Sequence, residues 1–320
     1  MLQIKPNHAE HITHFSEKFL NEMFRTDVVV AQRKYDGERM LIHFEDGKTY
    51  CTSRRIGKNG LFTQNEDKIL YLPKIEGLGY TVIDCECFAN NWSEVVGVLH
   101  SLPKRAIDLQ RKYVLLQFAV FDCLFFNGED LRDIPYIGRL FYIQQIIEKI
   151  NLPTVFKVES QQINSKEEIM EFMNESLEEG FEGCVIKSFA KTYYEKGATL
   201  KCKKFETVDC IVCGYQKGNG KYKNTIGALE IGYYDEETDS IIPISKVNCG
   251  TDEERNLWNI NKEEWLNTVI EVKCQQITEK SLRHPVYIRR REDKDYKMCT
   301  KDTIFLNKTP LWEPEINFII

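Results

Sequence analysis

The spacing of short β-patterned segments along the chain is the feature that most limits its possible folds. Before about residue 206 these segments are mixed with helical patterns, of which the clearest cover residues 136–150 and 166–178. After residue 206 short strand patterns follow one another with glycine-rich or polar loops between them, and one helical stretch covers 252–258. The first part predicts an α+β fold with antiparallel sheets and flanking helices. The second predicts a small β-barrel such as the OB-fold.

The length of the chain agrees with this division. A chain of 320 residues and 37.6 kDa is long for one hydrophobic core. We therefore expect one domain over residues 1–205 and a second over 206–320. Hydrophobic residues make up 42% and charged residues 29%, which is typical of a globular chain and excludes a largely disordered one. The apolar positions Ile304 and Trp312 predict that the C-terminal tail packs on the second domain.

Neither the N-terminus nor the interior indicates secretion or membrane insertion. The first residues contain no apolar signal core. The longest apolar run, residues 114–126, is interrupted by Gln117 and Asp122 and is too short to span a bilayer. Eleven cysteines, an odd number without a regular framework, indicate reduced thiols. We expect an intracellular protein with no membrane partner.

The net charge of −6 argues against a simple non-specific DNA-binding protein, because phosphate neutralisation supplies most of the affinity of such proteins. The basic residues are nevertheless concentrated in three segments, residues 33–58, 201–223 and 283–297. Acidic residues concentrate elsewhere, mainly in 167–182 and 235–239. Because salt screens charges over roughly 8 Å, a local basic face can act within an acidic protein.

The hexapeptide from Lys34 to Arg39, KYDGER, follows a β-branched run and contains a candidate nucleophile. A lysine must lose its proton to attack, and with an ordinary pKa near ~10.4 it is almost fully charged at neutral pH. Nearby cations such as Arg33 and Arg39 would lower that pKa. On these six residues alone, a polar turn between two strands is an equally good interpretation.

Asp84 and Glu86 alternate with Cys85 in a strand pattern, so their carboxylates are predicted to point to one face. Two adjacent carboxylates repel unless they bind a cation or pair with bases. A magnesium ion takes few protein carboxylates and keeps its water ligands, which suits this pair. An exposed, ion-paired strand is the alternative.

Three further segments carry chemistry that is weak in isolation. Phe118 and Phe121 have opposite strand parity, so one can enter the core while the other offers a face to a purine. Lys201 and Lys203 share a strand face, and two ammonium groups on one face suit a polyanion such as a triphosphate. Residues 289–291 are three consecutive arginines. Solvated edge strands and surface charge runs explain the lysine pair and the arginines equally well.

Two other patterns are set aside. Cys210 and Cys213 are spaced C-x-x-C, but strand periodicity sends their sulfurs to opposite faces and no second pair matches, which argues against zinc. The segment Gly218–Lys221 lacks the Ser or Thr that a phosphate-binding loop needs, because Tyr222 stands there. We interpret it as a flexible basic loop that could meet a DNA backbone.

Taken in order, these segments resemble the motifs of the covalent nucleotidyltransferase superfamily, from about residue 28 to 294. KYDGER is similar to KxDGxR, VIDCECF to the DGE strand, FAVFD to FxxFD, EGCVIK to EGxVxK, LKCKK to LKxK and RREDK to RxDK. Within the superfamily the chain most resembles ATP-dependent DNA ligases of the compact viral or phage type. The segments GALEI, from Gly227, and KVNCGTDEER, from Lys246, are similar to the pattern of the ligase OB domain. Cys85 departs from the usual glycine of the DGE motif.

The resemblance implies a role for each matching residue. Lys34 would take AMP from ATP, Asp36 and Arg39 would organise the nucleophile loop and the phosphates of the nick, and Arg54 would bind phosphate and ribose. Adenine would lie between Phe121 and Val185, with Gln32 at its edge. The α-phosphate would contact Lys187, Lys201 and Lys203. Glu86 would contact ribose or metal, and Glu182 would bind the metal, Mg²⁺ or Mn²⁺. The leaving pyrophosphate would be oriented by Arg289, Arg291, Asp293 and Lys294.

The activity that the resemblance implies is the sealing of 3′-OH/5′-phosphate nicks in duplex DNA by a monomeric enzyme. It proceeds through lysyl-AMP and a 5′-adenylated strand, with ATP and a divalent metal. An RNA ligase and a GTP-dependent capping enzyme are the enzyme alternatives. A nucleic-acid-binding protein that has lost the chemistry is the alternative from another class, and the presence of reactive side chains in all six segments argues against it.

Overall fold

The structure, a computed structural model, describes residues 2–260, 262–278, 280–306 and 310–311. The chain forms two compact units that divide between Cys202 and Lys203. Both are built mainly from antiparallel sheets, as the strand patterns predict.

The first sheet of the N-terminal unit positions the lysine loop. Its strand order is β1-β12-β11-β2-β10. The strands are β1 (Glu10–His11), β2 (Val29–Arg33), β10 (Gln161–Ile163), β11 (Gly183–Ser188) and β12 (Thr199–Lys203). Strand β2 pairs antiparallel with both β10 and β11. Val185 lies directly opposite Gln32, and opposite residues in an antiparallel pair share a face.

The second sheet of this unit has the order β5-β4-β3-β6-β7-β8, and β9 pairs with β7. The strands are β3 (Glu38–Glu45), β4 (Lys48–Ile56), β5 (Phe62–Gln64), β6 (Thr81–Phe88), β7 (Gln117–Phe126), β8 (Glu129–Asp130) and β9 (Val155–Lys157). One face of the sheet carries a large apolar core that includes Ile42, Ile83 and Phe118. Arg39 on β3 lies opposite Glu86 on β6.

Five helices flank these sheets: α1 (Glu17–Thr26), α2 (Trp92–Leu99), α3 (Pro103–Lys112), α4 (Tyr136–Ile150) and α5 (Lys166–Glu178). The predicted helices at 136–150 and 166–178 are confirmed. Ser165 caps the start of α5, because its hydroxyl accepts a hydrogen bond from the backbone nitrogen of Glu168 at 3.1 Å. The sequence patterns did not predict α2 and α3.

The C-terminal unit has a sheet of order β15-β14-β13-β16-β19, with β20 also paired to β13. Its strands are β13 (Phe205–Lys217), β14 (Ile226–Asp235), β15 (Ser240–Val247), β16 (Val269–Cys274), β17 (Gln276–Ile277), β18 (Leu282–Arg283), β19 (Val286–Arg290) and β20 (Pro310–Leu311). Two helices complete it, α6 (Asp252–Ile260) and α7 (Lys301–Phe305). Ile304 is fully buried with Trp258 in the core, whereas Trp312 lies outside the described residues.

Across the described part of the chain, no helix is both long enough and apolar enough to cross a membrane. All eleven cysteines are free thiols, and ten of them are buried.

Candidate active site

Lys34 lies where β2 ends, and backbone hydrogen bonds fix it against the start of β11. Its nitrogen donates to the Gly183 carbonyl at 2.9 Å, and its carbonyl accepts from the Glu182 nitrogen at 3.0 Å. The two side chains then meet in an ion pair between Lys34 Nζ and Glu182 Oε2. Both are largely shielded from solvent, with exposures of 19% and 9%. The structure therefore presents the predicted nucleophile and the predicted metal ligand as direct neighbours.

Aromatic side chains hold the rest of the lysine loop. The Tyr35 ring lies 4.6 Å from Phe88, 5.1 Å from Phe181 and 5.9 Å from Phe156, measured between centroids. Gly37 packs so closely on β6 that a Cβ there would lie 2.2 Å from the Cys87 carbonyl oxygen. Only glycine fits this approach, which accounts for Gly37 physically. Asp36 lies half-buried between Tyr35 and Gly37.

Arg39 is held by more partners than the sequence suggested. Its Nε and Nη2 atoms donate to the two oxygens of Asp84 at 2.9 and 2.5 Å. Nη1 donates to the Asn7 carbonyl at 2.6 Å, and Nη2 also reaches Asn7 Oδ1 at 2.7 Å. Tyr193 donates its hydroxyl to Asp84 at 2.6 Å. Asp84 thus serves as the buried counterion of Arg39, so of the two β6 carboxylates only Glu86 stays available for a cation.

Arg33, one of the cations expected near Lys34, has partners of its own on the other side of the strand. It forms an ion pair with Glu179, and its guanidinium lies 5.0 Å from the Phe172 ring centroid and 5.7 Å from that of Phe181. The reason is strand alternation, because consecutive residues point to opposite faces.

Glu86 is the carboxylate of the site whose charged form is disfavoured. Burial raises its pKa to about 7 and the Glu182 charge adds to the rise, although the Lys34 and Arg39 charges oppose it. Within the described residues no group of three or more His, Cys, Asp or Glu could hold a metal ion. Two carboxylates close enough to influence each other fit a Mg²⁺ or Mn²⁺ ion that keeps most of its water ligands.

Glu86→Gln should stabilise the protein in a pH-dependent way. The folded protein keeps a proton on Glu86 that the unfolded chain releases between about pH 4.5 and 7, so this group lowers the free energy of unfolding as pH rises through that window. Glutamine does not titrate. The variant should therefore match wild type at pH 4 and gain up to about 3 kcal/mol at pH 8 in urea unfolding.

The matched control is Glu179→Gln, because Arg33 lowers the pKa of Glu179. That variant should lose stability near neutral pH, the opposite sign. An equal gain in stability for Glu86→Gln at pH 4 and pH 8 would show that the charge on Glu86 does not destabilise the folded protein.

A second group of predicted residues clusters around Gln32, which lies two residues before Lys34 on β2. Gln32 is 2% exposed, and its Nε2 donates to Tyr136 Oη and Ser160 Oγ, both at 2.9 Å. Phe121 is half-buried on β7, with Lys187 Nζ 4.8 Å from its ring centroid. Lys187 also donates to the Phe121 carbonyl at 2.8 Å. Burial lowers the pKa of Lys187 to about 8, although the nearby Asp122 opposes this.

A third group is basic and lies around the end of β12. Burial lowers the pKa of Lys201, and the charges of Lys34 and Arg54 lower it further. Burial lowers the pKa of His8 as well, and the charges of Arg54 and Lys201 lower it further. The alternation along β12 is confirmed, since Leu200 and Cys202 are buried while Lys201 and Lys203 are only half-buried. Lys203 begins the second unit, and its Nζ lies 3.4 Å from Gln275 Oε1.

Two of the four predicted C-terminal residues, Arg291 and Lys294, bind an acidic side chain that the sequence analysis did not predict. Asp209 on β13 accepts from Arg291 at 3.1 and 3.2 Å and from Lys294 at 2.7 Å. Arg291 also forms a two-point pair with Asp293, whose pKa it lowers to about 2. Arg289 pairs with Glu271 at 2.6 Å. The basic run is therefore an ordered network within this unit.

The basic loop at Gly218–Lys221 is also tied down. Lys221 and the Tyr222 hydroxyl bond to Asp252 at 3.3 and 2.7 Å, and the Arg255 guanidinium lies 4.1 Å from the Tyr222 ring centroid.

Comparison with known proteins shows to which family the chain is related. The family model for the ATP-dependent DNA ligase domain matches residues 6–203, more than half of the chain. The chain belongs to the ATP-dependent DNA ligase family. The matched segment contains Lys34, Glu86 and Glu182.

Two relatives illustrate the similarity. The chain is 28% identical over 245 residues to a DNA ligase of Ignicoccus hospitalis, covering 70% of this chain. It is 30% identical over 241 residues to a probable DNA ligase of Dictyoglomus turgidum, covering 69% of this chain. In both comparisons the matched region spans 40% of the relative's own length.

Two solved structures share the fold. One, named Pmar-Lig_PreS3, is 19% identical with a TM-score of 0.69, covering 89% of this chain and 67% of its own. The other comes from a structure-function study of Lig E DNA ligases and is 17% identical with a TM-score of 0.64, covering 91% of this chain and 100% of its own. This ligase-family chain thus shares its backbone architecture with ligase structures despite low identity.

Several side chains that shape the site were not predicted. Asp84 was identified only as a partner of Glu86, and its pairing with Arg39 depends on the register of β3 with β6. Asn7, Tyr136, Ser160, Tyr193 and Asp209 stand outside the motif segments. The only sequence signal for any of these side chains was the DGE-like strand, whose first acidic residue is Asp84.

Proposed function

We propose that the protein seals nicks in duplex DNA, using ATP. The observation that carries this proposal is the ion pair of Lys34 with Glu182, whose two charges both act on the buried Glu86. Lys34 Nζ attacks the α-phosphorus of ATP, a P–N bond forms, and pyrophosphate leaves. The AMP then passes to the 5′-phosphate of the nick, and the 3′-OH attacks that phosphate and expels AMP.

The pocket residues bind and orient the nucleotide. Adenine stacks between Phe121 and Val185. Two contacts support this placement: Val185 lies on the same face of the sheet as Gln32, and the Lys187 side chain donates to the Phe121 carbonyl. Lys187, Lys201 and Lys203 contact the α-phosphate, and Arg54 binds phosphate and the ribose. Asp36 and Arg39 organise the loop and the nick phosphates. Orientation of this kind supplies much of the catalysis in phosphoryl transfer.

Glu86 and Glu182 would hold a Mg²⁺ or Mn²⁺ ion. Such an ion offsets the charge on the reacting phosphates. Glu86 fits this role because burial and a neighbouring carboxylate already destabilise its charged form. A cation beside it relieves that cost.

We assign residues 1–205 as the adenylation domain and 206–320 as an OB-fold domain with a C-terminal tail. The antiparallel five-strand order of the second unit supports the OB-fold. Arg289, Arg291, Asp293 and Lys294 orient the pyrophosphate in this proposal, supported by their ordered network on Asp209 and Glu271. We also propose a monomer that works inside the cell on nicked duplex DNA.

The test is to incubate the purified protein with a divalent metal and α-labelled ATP or α-labelled GTP, and to separate the products by denaturing electrophoresis. Label from ATP should stay on the protein and leave when nicked DNA is added. Label from GTP alone would indicate a capping enzyme, and release by nicked RNA alone an RNA ligase. No label from either nucleotide would contradict the proposal and favour a binding protein without chemistry.

A further inference from the structure

The amide of Gln32 is buried at the edge of the proposed adenine pocket and both of its N–H groups are engaged. Its Nε2 donates to Tyr136 Oη and to Ser160 Oγ at 2.9 Å each. Tyr136 begins helix α4, and Ser160 directly precedes strand β10. Both residues are far from Gln32 in the sequence.

The direction of these hydrogen bonds is forced by a third contact. The Tyr136 hydroxyl donates its one hydrogen to the Phe121 carbonyl at 2.9 Å. A carbonyl oxygen can only accept, so the hydroxyl has only lone pairs left for Gln32. Burial raises the pKa of Tyr136 well above its ordinary value, so the hydroxyl keeps its hydrogen. The nitrogen of the Gln32 amide must therefore face Tyr136, and the oxygen must face away.

This orientation leaves Gln32 Oε1 as the one group that the amide can offer to a ligand. Among the described residues, no donor is hydrogen-bonded to it. Gln32 shares its face of the sheet with Val185. An acceptor at this position suits the 6-amino group of adenine, which donates. Guanine carries a carbonyl oxygen at the same position, and two acceptors facing each other in a buried site are unfavourable.

We propose that Tyr136 and Ser160 are specificity-determining positioning residues, which select ATP over GTP by fixing the orientation of the Gln32 amide. This inference rests on the proposed function. Neither residue needs to touch the base. Without them the amide can rotate by 180° and present its N–H₂ group to a guanine oxygen.

The test compares rates of lysyl-nucleotide formation from α-labelled ATP and α-labelled GTP. Tyr136→Phe keeps the ring and removes only the hydroxyl, and Ser160→Ala removes the second acceptor. In the double variant the ATP-to-GTP rate ratio should fall by at least about tenfold, because the GTP rate rises while the ATP rate falls. Tyr142→Phe, which alters another α4 tyrosine that packs on Phe126 at 4.8 Å, should leave the ratio unchanged.

A rescue variant separates amide orientation from a general structural effect. Glutamate presents an oxygen in both orientations, so adding Gln32→Glu to the double variant should restore the preference for ATP. A purely structural role of Tyr136 would lower both rates together and would not be rescued.

Three outcomes would overturn the inference. One is an unchanged ratio in a folded double variant, and another is a lost preference that Gln32→Glu does not restore. The third is equal labelling of the wild-type protein by both nucleotides, which leaves the proposed lysine chemistry intact. Labelling by neither nucleotide would instead refute the proposed function and the inference together.

Discussion

Lys34→Ala is expected to abolish the covalent nucleotide adduct, reducing it at least about a thousandfold, because no other group replaces the attacking nitrogen. Lys34 is the lysine whose side chain the structure pairs with Glu182, and backbone bonds to Gly183 and Glu182 fix its position. The adduct is measured by denaturing electrophoresis after incubation with α-labelled ATP.

The matched control is Lys18→Ala, which removes an exposed lysine from α1. It should label as well as wild type. Circular dichroism should show that both variants fold, since the backbone bonds of Lys34 do not depend on its side chain. An adduct that persists in folded Lys34→Ala protein would contradict the assignment of the nucleophile.

Asp122→Ala is expected to cause the largest loss of stability, about 3–5 kcal/mol, because it leaves buried cations without their counterion. Asp122 accepts two hydrogen bonds from Arg139, at 2.7 and 3.0 Å, and lies 3.6 Å from Lys187 Nζ. All three side chains are at most 4% exposed. The loss is measured at pH 7 as the decrease in the free energy of unfolding, obtained from urea denaturation.

Asp130→Ala is the matched control from the same sheet. Asp130 also bonds Arg132 through two atoms, at 2.8 and 2.5 Å, but its side chain is 43% exposed. Water screens such a pair, so the expected cost is below about 1 kcal/mol. Equal costs for the two variants would show that burial does not set the strength of these pairs.

The contribution of Asp122 should also depend on pH. Burial alone would raise the pKa of Asp122, but the charges of Lys187 and Arg139 outweigh burial and lower it below the ordinary value of 3.8. An acid with a lowered folded pKa stabilises the protein above its unfolded pKa and loses that effect as pH falls through the folded value. The difference between wild type and Asp122→Ala should therefore shrink below about pH 4.

The parts of the site that the sequence predicted are those encoded by local spacing. Lys34 follows a β-branched strand directly, and Glu182 precedes the strand that pairs with it, so short motifs contain both. The face shared by Lys201 and Lys203 follows from the period of two in a strand, and the start of α5 follows from Ser165 and its cap.

The parts that were missed depend on contacts between distant segments. Asp84 meets Arg39 only because β3 and β6 pair in one register, and Asn7 reaches the same guanidinium from the N-terminal segment. Gln32 was expected at the adenine edge, but the direction of its amide depends on Tyr136, 104 residues away. The side chain of Arg33 was expected beside that of Lys34. Adjacent residues in a strand point to opposite faces, however, as the sequence analysis already assumed for Asp84 and Cys85.

The most direct measurement of the central claim is a chase of the isolated adduct. Protein labelled with α-labelled ATP is freed of nucleotide and mixed with a duplex that carries one 3′-OH/5′-phosphate nick, without further ATP. If the protein seals nicks as proposed, the label leaves the protein while the nicked strand is joined. An intact duplex should release no label. Label that stays on the protein, or leaves without joining a strand, would contradict it.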